Sequence, residues 1–497
     1  MFVALMLIIQ LFLMILLLIN GGNMYKWLNL AFHSISYIVA ITVISRKGKM
    51  EYKLLWVFIT LLFPVFGGML YLFFNFQTTT KLFKKNLSKT EFITKPLYNK
   101  FESVTDEAIS LLPDYKNEIN YLENYIGFPV YDGTETKYLS PGQEMFEQLV
   151  IELEKAEKYI FLEYFIIEHG EMWDTILKIL IRKAKMGVDV RLLYDDLGCF
   201  LLLPHDYPKT LKENGIKCMK FNEFRPALSS LQNNRDHRKI ASIDGKVAFT
   251  GGINLADEYI NKIDKHGKWK DAGIMIKGKA AWSFTLMFLQ MWELCVNTKE
   301  DLSVYFPYNN SVCTTSNDGF VQPYADSPVD DENVGESVYL NIINSAKNYL
   351  YITTPYLVID ASMMSALKLA AKNGVDVRIV TPKRWDKRIV HMTTRSYYKE
   401  LVEAGIKIYE YHGFIHSKTF VSDGKIATVG TVNLDYRSLY LHFECGVVVY
   451  NASSVADISN DFLSTLKESE EMTLEKCKCS FLNKLIREVL RLIAPLM

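Results

Sequence analysis

The chain has 497 residues, room for roughly two to four domains of ordinary size. Lys and Arg total 56, as do Asp and Glu, so the formal charge is zero and no global field draws the chain to nucleic acid. Its seven cysteines include no CxxC and no His/Cys cluster at zinc spacing, which speaks against a disulfide framework or a metal and fits a reducing compartment.

Residues 1–76 read as an N-terminal membrane region with two or three hydrophobic segments. Residues 1–19 are apolar except for Gln10, with no basic start and no cleavage site of the signal-peptide kind. Residues 27–44 are a second candidate transmembrane helix, diluted by Asn29, His33, Ser34 and Ser36. Residues 54–76 are a third, interrupted by Pro64 and Gly67-Gly68, with Trp56 and Tyr71 toward its ends. Arg46, Lys47, Lys49 and Lys53 precede this third segment, and Lys81, Lys84, Lys85 and Lys89 follow it. Both sets read as cytoplasmic, which three full spans cannot satisfy, so the third segment is better read as a hairpin or re-entrant element. The expected location is the cell membrane, multi-pass, with the remainder of the chain on the cytoplasmic face. Residues 77–135 read as a juxtamembrane linker.

From about residue 136 the chain alternates strands and helices, and does so twice. Residues 154–167 match 344–359 in outline, 183–194 match 370–381, and 213–219 match 403–409. Each half reads strand, helix, strand, helix, strand, then a hairpin. That is an α/β unit with an apolar central sheet. The first repeat is placed at 136–296, a polar linker at 297–334 and the second repeat at 335–470. Residues 471–497 hold a C-terminal amphipathic helix, in which Phe481, Leu482, Leu485, Ile486, Val489 and Leu490 run with Lys484, Arg487 and Arg491. Packing of its apolar stripe onto the core is the expected fate; docking on a membrane surface is the alternative.

Each hairpin carries His-x-Lys-x4-Asp followed by an Asn in the same register. The first set is His237, Lys239, Asp244 and Asn254; the second is His416, Lys418, Asp423 and Asn433. On a strand, residues i and i+2 face the same side, so each His projects with its Lys. Two such strands side by side would gather two imidazoles and two ammonium groups around one phosphate. One neutral imidazole can attack phosphorus while the other, protonated, serves the leaving alkoxide. The lysines, with Asn254 and Asn433, can stabilise charge on the non-bridging oxygens. Asp244-Gly245 and Asp423-Gly424 are also hairpin-turn dipeptides, so a turn role explains the aspartates without catalysis.

With these residues in view, the sequence resembles the phospholipase D superfamily and, within it, the bacterial cardiolipin synthase family. The resemblance rests on DHRKIASIDGKVAFTGGINLADEY and VGTVNLDYRSLYLHFE, and on the membrane segment KLLWVFITLLFPVFGGMLYLFF. It implies two pseudo-symmetric α/β repeats forming one catalytic unit, a phosphatidyltransferase that joins two phosphatidylglycerol molecules into cardiolipin and glycerol through a phosphohistidine, and no cofactor. It implies His237 and His416 as nucleophile and general acid, with His237 favoured as nucleophile, and Lys239 and Lys418 on phosphate. It also implies carboxylates that orient the histidines, Asp271 behind His237 and Glu444 behind His416. Asp236 and His442 stand where the family usually has Asn; neither belongs to the six motif residues. Competing readings are a membrane-bound phospholipase D that hydrolyses its substrate, a transphosphatidylase for another head group, a membrane-tethered nuclease, and a non-enzymatic scaffold.

Overall fold

The structure, a computed structural model, describes residues 23–63, 66–75, 78–224, 230–296, 299–308 and 318–497. The chain divides into two units: a smaller one with the N-terminal helices, and a larger one made of Lys84–Arg225 and Asn233–Arg491.

In the smaller unit the predicted second segment is the helix Asn23–Ser45. The third is two helices, Met50–Leu62 and Phe66–Asn75. Phe63 has left the helix (φ −125°, ψ 77°), in keeping with the steric bar that Pro64 sets against α conformation in the residue before it. The second helix then folds closely against the first: a Cβ on Gly67 would lie 2.5 Å from the carbonyl oxygen of Ile59. Val39, Val43 and Tyr71 form a small core with Trp56 and Val57. Among the described residues no helix is long and apolar enough to cross a membrane. This corrects the expectation of transmembrane helices at 27–44 and 54–76. Asn29, His33, Ser34 and Ser36 dilute the first, and the break after Leu62 leaves the other as pieces of 13 and 10 residues, against the roughly 20 needed to span a bilayer. The predicted segment at 1–19 lies outside the described residues.

The larger unit holds two sheets. The strands of the first repeat are β1 (Thr134–Leu139), β2 (Tyr159–Tyr164), β3 (Asp189–Asp195), β4 (Lys217–Phe221), β5 (Arg235–Asp236), β6 (Ile240–Ile243), β7 (Val247–Gly251), β8 (Trp269–Lys270) and β9 (Gly273–Gly278). Those that follow are β10 (Phe320–Asp326), β11 (Tyr349–Thr353), β12 (Leu357–Val358), β13 (Asp376–Pro382), β14 (Lys407–Tyr411), β15 (Phe414–Ile415), β16 (Thr419–Ser422), β17 (Ile426–Gly430), β18 (Leu434–Asp435), β19 (His442–Tyr450) and β20 (Ser469–Glu471). The first sheet runs β1-β9-β7-β6-β2-β3-β4 and the second β10-β19-β17-β16-β11-β13-β14-β20. The shared order, with hairpins β6–β7 and β16–β17 beside parallel β2–β3–β4 and β11–β13–β14, is the duplication that the sequence predicts.

One face of the first sheet is covered by its own helices, with Leu149, Trp173, Ile176, Leu180 and Leu192 in a common core. A second core joins the sheets: Ile240, Ala248, Ile274 and Ile276 from the first repeat pack with Val421, Val429, Val447 and Val449 from the second. At about 1.5–3 kcal/mol for each fully buried aliphatic side chain, this layer binds the repeats far more firmly than surface ion pairs could. Two features differ from expectation. The polar stretch 297–334 contains β10, wholly buried on the edge of the second sheet; Gln322 there donates to the carbonyls of Ile119 and Phe128. The C-terminal helix Phe481–Leu492 has no buried residue, so its apolar stripe does not pack onto the core as expected.

The motif aspartates close the hairpins. Asp244 and Asp423 have φ of 52° and 53°, each followed by glycine at 66°, the geometry of a tight two-residue turn. The Asp244 carboxylate accepts from the backbone N–H groups of Glu157, Lys158 and Tyr159, each at 2.8 Å. Asp423 accepts from Lys347, Asn348 and Tyr349 at 2.7, 2.8 and 2.9 Å. Their carboxylates therefore clamp the start of β2 and of β11, which is the turn role that the Asp-Gly dipeptides allow. Asp244→Ala should lower unfolding stability by about 2 kcal/mol, through three lost charge-assisted hydrogen bonds, while each folded molecule keeps its turnover. Urea unfolding read beside activity checks this; lost turnover at an unchanged midpoint contradicts it.

Candidate active site

Both motif histidines sit where the chain passes from one sheet to the other. β5 pairs in parallel with the start of β19 in the second sheet, and after three intervening residues β6 belongs to the first. β15 pairs in parallel with β8 of the first repeat before β16 enters the second sheet. His237 and His416 are at the two crossings. The motif strands β6 and β16 are thus not neighbours in one sheet, as a side-by-side reading expects; each motif segment leaves its own repeat to pair with the other.

This register decides which carboxylate meets which imidazole. Asp236 is opposite Phe443, and the His237 N–H donates to the Phe443 carbonyl at 2.9 Å, so His237 faces Glu444. Ile415 is opposite Lys270, and the His416 N–H donates to the Lys270 carbonyl at 2.7 Å, so His416 faces Asp271. His237 Nδ1 lies 2.9 and 3.0 Å from the Glu444 oxygens, and His416 Nδ1 lies 2.7 Å from Asp271 Oδ2. The expected pairing within each repeat is therefore reversed. Each Nδ1 is held from behind by the opposite repeat, which leaves Nε2 as the working nitrogen.

The two supports differ. Thr431 Oγ1 donates to Glu444 Oε2, and the Thr431 hydroxyl also accepts from the Cys445 N–H at 3.0 Å. Gly252 holds the matching place in the first repeat, where a Cβ would stand 2.1 Å from Asp271 Oδ1. A short Asp opposite Gly and a longer Glu opposite Thr fill the same space in two ways. Asp271 also accepts from the Ala272 N–H at 2.8 Å and from the Trp269 indole at 3.4 Å. Burial raises the Asp271 carboxyl, but His416 and Lys418 outweigh it and hold its pKa below the usual value. For Glu444 burial wins over the opposing Lys239 charge and pushes the carboxyl well up.

The lysines are nearly inaccessible, at 0% and 1% exposure for Lys239 and Lys418. Lys239 Nζ donates to the His237 carbonyl at 2.6 Å, and Lys418 Nζ lies 2.9 and 3.1 Å from the ring nitrogens of His416. Burial, partly offset by Glu444, lowers Lys239 to about 8; burial, partly offset by Asp271, lowers Lys418 to about 7. Burial and then Lys418 lower His416 to about 4. Burial, then the charges of Lys239, His442, Lys418 and His416, depress His237 well below the ordinary histidine value. The site thus sets two neutral imidazoles among buried lysines.

The asparagines do not act alike. Asn254 Oδ1 accepts from the Ile166 N–H at 3.0 Å and its amide donates to Tyr259 at 2.7 Å, so it braces the loop after β2. Asn433 Oδ1 is buried without a hydrogen-bond partner. Sequence reasoning missed the aromatic walls: Phe165 is 5.1 Å from the His237 ring, with Lys239 Nζ 5.5 Å over its face, and Trp269 and Tyr259 are 5.3 and 5.6 Å from the His416 ring. Asp236 props the crossing, its N–H donating to Asp195 Oδ2 at 3.0 Å. His442 borders the site directly, its ring 5.4 Å from that of His237 and its Nδ1 3.8 Å from Glu444. Among the described residues, His237, His442 and Glu444 form the one group able to hold a metal ion, with ligand atoms within 4.8 Å of one another. Lys239 faces this group, so a cation would bind against its charge. A cavity of about 530 Å³, lined by Pro141, Asn261, Trp269, Lys270 and Tyr411 among others, shares Trp269 with the site but none of the motif residues.

Two His/Lys half-sites, each completed by a carboxylate of the other repeat, define a phospholipase D-type centre. Comparison with known proteins agrees. The family profile described as cardiolipin synthase, PLD-like domain matches residues 149–292 and 339–466, and one described as phospholipase D-nuclease N-terminal matches 35–74. A cardiolipin synthase from Alkalihalophilus pseudofirmus is 35% identical over 492 residues, 97% of this chain and 97% of its own. Another, from Geobacillus sp., is 37% identical over 471 residues, 92% of this chain and 91% of its own. A phosphatidylserine synthase structure from Haemophilus influenzae shares the fold, with a TM-score of 0.57 at 14% identity over 76% of this chain and 98% of its own. The chain belongs to the phospholipase D-like cardiolipin synthase family and is an enzyme of the phosphatidyltransferase class.

Lys418 and Lys239 lose their charges as pH rises through about 7 and about 8, so an anionic phosphodiester would meet both as cations only below that interval. The kcat/KM profile should therefore fall on its alkaline side in that interval, while its acid limb, set by the need for a neutral His237, lies well below the ordinary histidine value. Lys418→Arg, which stays charged, should move the alkaline limb upward. A profile flat through that interval contradicts the assignment.

Proposed function

We propose that the enzyme transfers a phosphatidyl group from one phosphatidylglycerol to another, giving cardiolipin and glycerol. The observation that carries this reading is the pair of His–carboxylate couples in one buried, cation-lined site, and the naming of the relatives supports it. His237 Nε2 attacks phosphorus as a neutral imidazole, and the P–O bond to the glycerol head group breaks. His416 gives its proton to that oxygen. The incoming phosphodiester, by its negative charge, raises the depressed His416 pKa, so proton and substrate arrive together. In the second half, His416 takes a proton from the head-group hydroxyl of another phosphatidylglycerol, whose oxygen displaces His237 from phosphorus. Lys239 and Lys418 neutralise the non-bridging oxygens throughout.

The two supports favour this division of labour. An ionised Asp271 behind His416 stabilises an imidazolium, as an acid–base group needs. Glu444, pushed toward its neutral form, favours an uncharged His237, as a nucleophile needs. The membrane reading that goes with it is an enzyme held at the cytoplasmic face, supported by the Lys and Arg residues around the N-terminal helices.

Purified protein incubated with labelled phosphatidylglycerol in EDTA should yield cardiolipin and glycerol, and His237→Ala or His416→Ala should each abolish turnover. On a substrate with a good leaving group, His416→Ala should regain its first step, and acid-quenched mass spectrometry should find the phosphatidyl group on His237. Phosphatidic acid with glycerol as the main products would make the enzyme a hydrolase. An adduct on His416 in His237→Ala would reverse the roles.

A further inference from the structure

The C-terminal helix Phe481–Leu492 is mounted the wrong way round for a helix that faces water. At 100° per residue, Phe481, Leu482, Leu485, Ile486 and Val489 fall on one arc. All five are exposed, from 38% at Ile486 to 83% at Phe481. Lys484, Arg487 and Arg491 fall on the opposite arc; Arg487 and Arg491 turn to the protein, while Lys484 at its edge is exposed. Arg491 donates to Glu400 at 3.2 Å and lies 4.6 Å over the Tyr397 ring, both on the helix Arg388–Glu403. Arg487 is half-buried, and its charge reaches His391 on the same helix. A helix free to roll in water would hide its leucines and solvate its arginines; here the packing fixes the reverse.

The neighbouring helix extends the surface. Around its start Trp385 and Ile389 are 50% and 58% exposed, among the exposed cations Arg384, Lys387 and Arg388. This end is close to the catalytic cleft: Asp386 accepts from Tyr356 at 2.5 Å, Lys387 Nζ lies 5.5 Å over the Tyr356 ring, and the Lys387 charge reaches Asp435 and His442.

We propose that the outward arc of this helix, with Trp385 and Ile389, is a membrane-docking surface whose occupant is the interface of an anionic phospholipid bilayer. Apolar side chains enter the acyl boundary, Trp385 sits at head-group depth, and Lys484, Arg384, Lys387 and Arg388 meet the anionic head groups. Docking there would present the cleft to the bilayer surface from which a phospholipid head group must be lifted. The inference stands on the orientation of the helix and not on the identity of the product.

The test uses the full chain reconstituted in phosphatidylglycerol-containing vesicles. A photo-crosslinking amino acid in place of Leu485 should attach to lipid acyl chains, whatever reaction the enzyme performs. L485E/V489E should raise KM for vesicle-embedded substrate by about tenfold or more, since each buried aliphatic anchor is worth at least that factor. Its kcat toward a monomeric short-chain substrate in solution should not change. Crosslinks to a second copy or to another segment of the chain would mean that protein covers the arc and would overturn the proposal, as would an unchanged vesicle KM.

Discussion

The constraint on which the catalytic unit depends is the crossed hydrogen bond between each motif imidazole and a carboxylate of the other repeat. His237 to Glu444 and His416 to Asp271 are buried contacts, so neither partner can be exchanged for water. Removing one would leave an orphaned polar group in a low-dielectric interior, at a cost of about 1–3 kcal/mol or more. The same two bonds fix the tautomer and aim of both rings. Neither repeat contains a complete half-site: β5 needs the edge of β19, and β15 needs β8. The apolar layer between the sheets, from Ile240 and Ala248 to Val429 and Val447, brings the halves together; the crossed pairs set the catalytic register.

Electrostatics follows from that burial. Two lysines and three histidines lie close together in the site and its border, and desolvation is the first cause of every depressed pKa among them. The site therefore combines imidazoles held neutral with lysines that lose their charge near neutral pH. Pseudo-symmetry is broken by one small difference, Gly252 against Thr431, which makes room for Asp271 in one half and tethers Glu444 in the other. One carboxyl is held ionised and the other is driven toward neutrality, so the otherwise matched half-sites differ electrostatically.

Much of this was legible in the chain. The duplicated His-x-Lys motif, the α/β order and the hairpin turns are local patterns, and each appears where the sequence places it. The crossed pairing was not legible, because the partners lie 207 and 145 residues apart and the decision rests on strand register between sheets. The turn aspartates show how one dipeptide can carry two meanings until its acceptors are seen. β10 was hidden in a polar stretch because its Gln322 and Pro323 are accommodated on an edge strand by side-chain bonds and an unneeded N–H. For the C-terminal helix the 3.6-residue period revealed an apolar stripe but not which way it points, a matter settled by Arg491 on Tyr397 and Glu400.

The most direct measurement is imidazole NMR of the ring-labelled enzyme with one carboxylate removed at a time. Asp271→Asn should shift the ring signals of His416 and lower its pKa further, since Asp271 raises it, while leaving the tautomer of His237 in place; Glu444→Gln should shift the ring signals of His237 and spare those of His416. If Asp271→Asn instead altered His237 and spared His416, each half-site would be built within its own repeat, and the crossed architecture described here would be wrong.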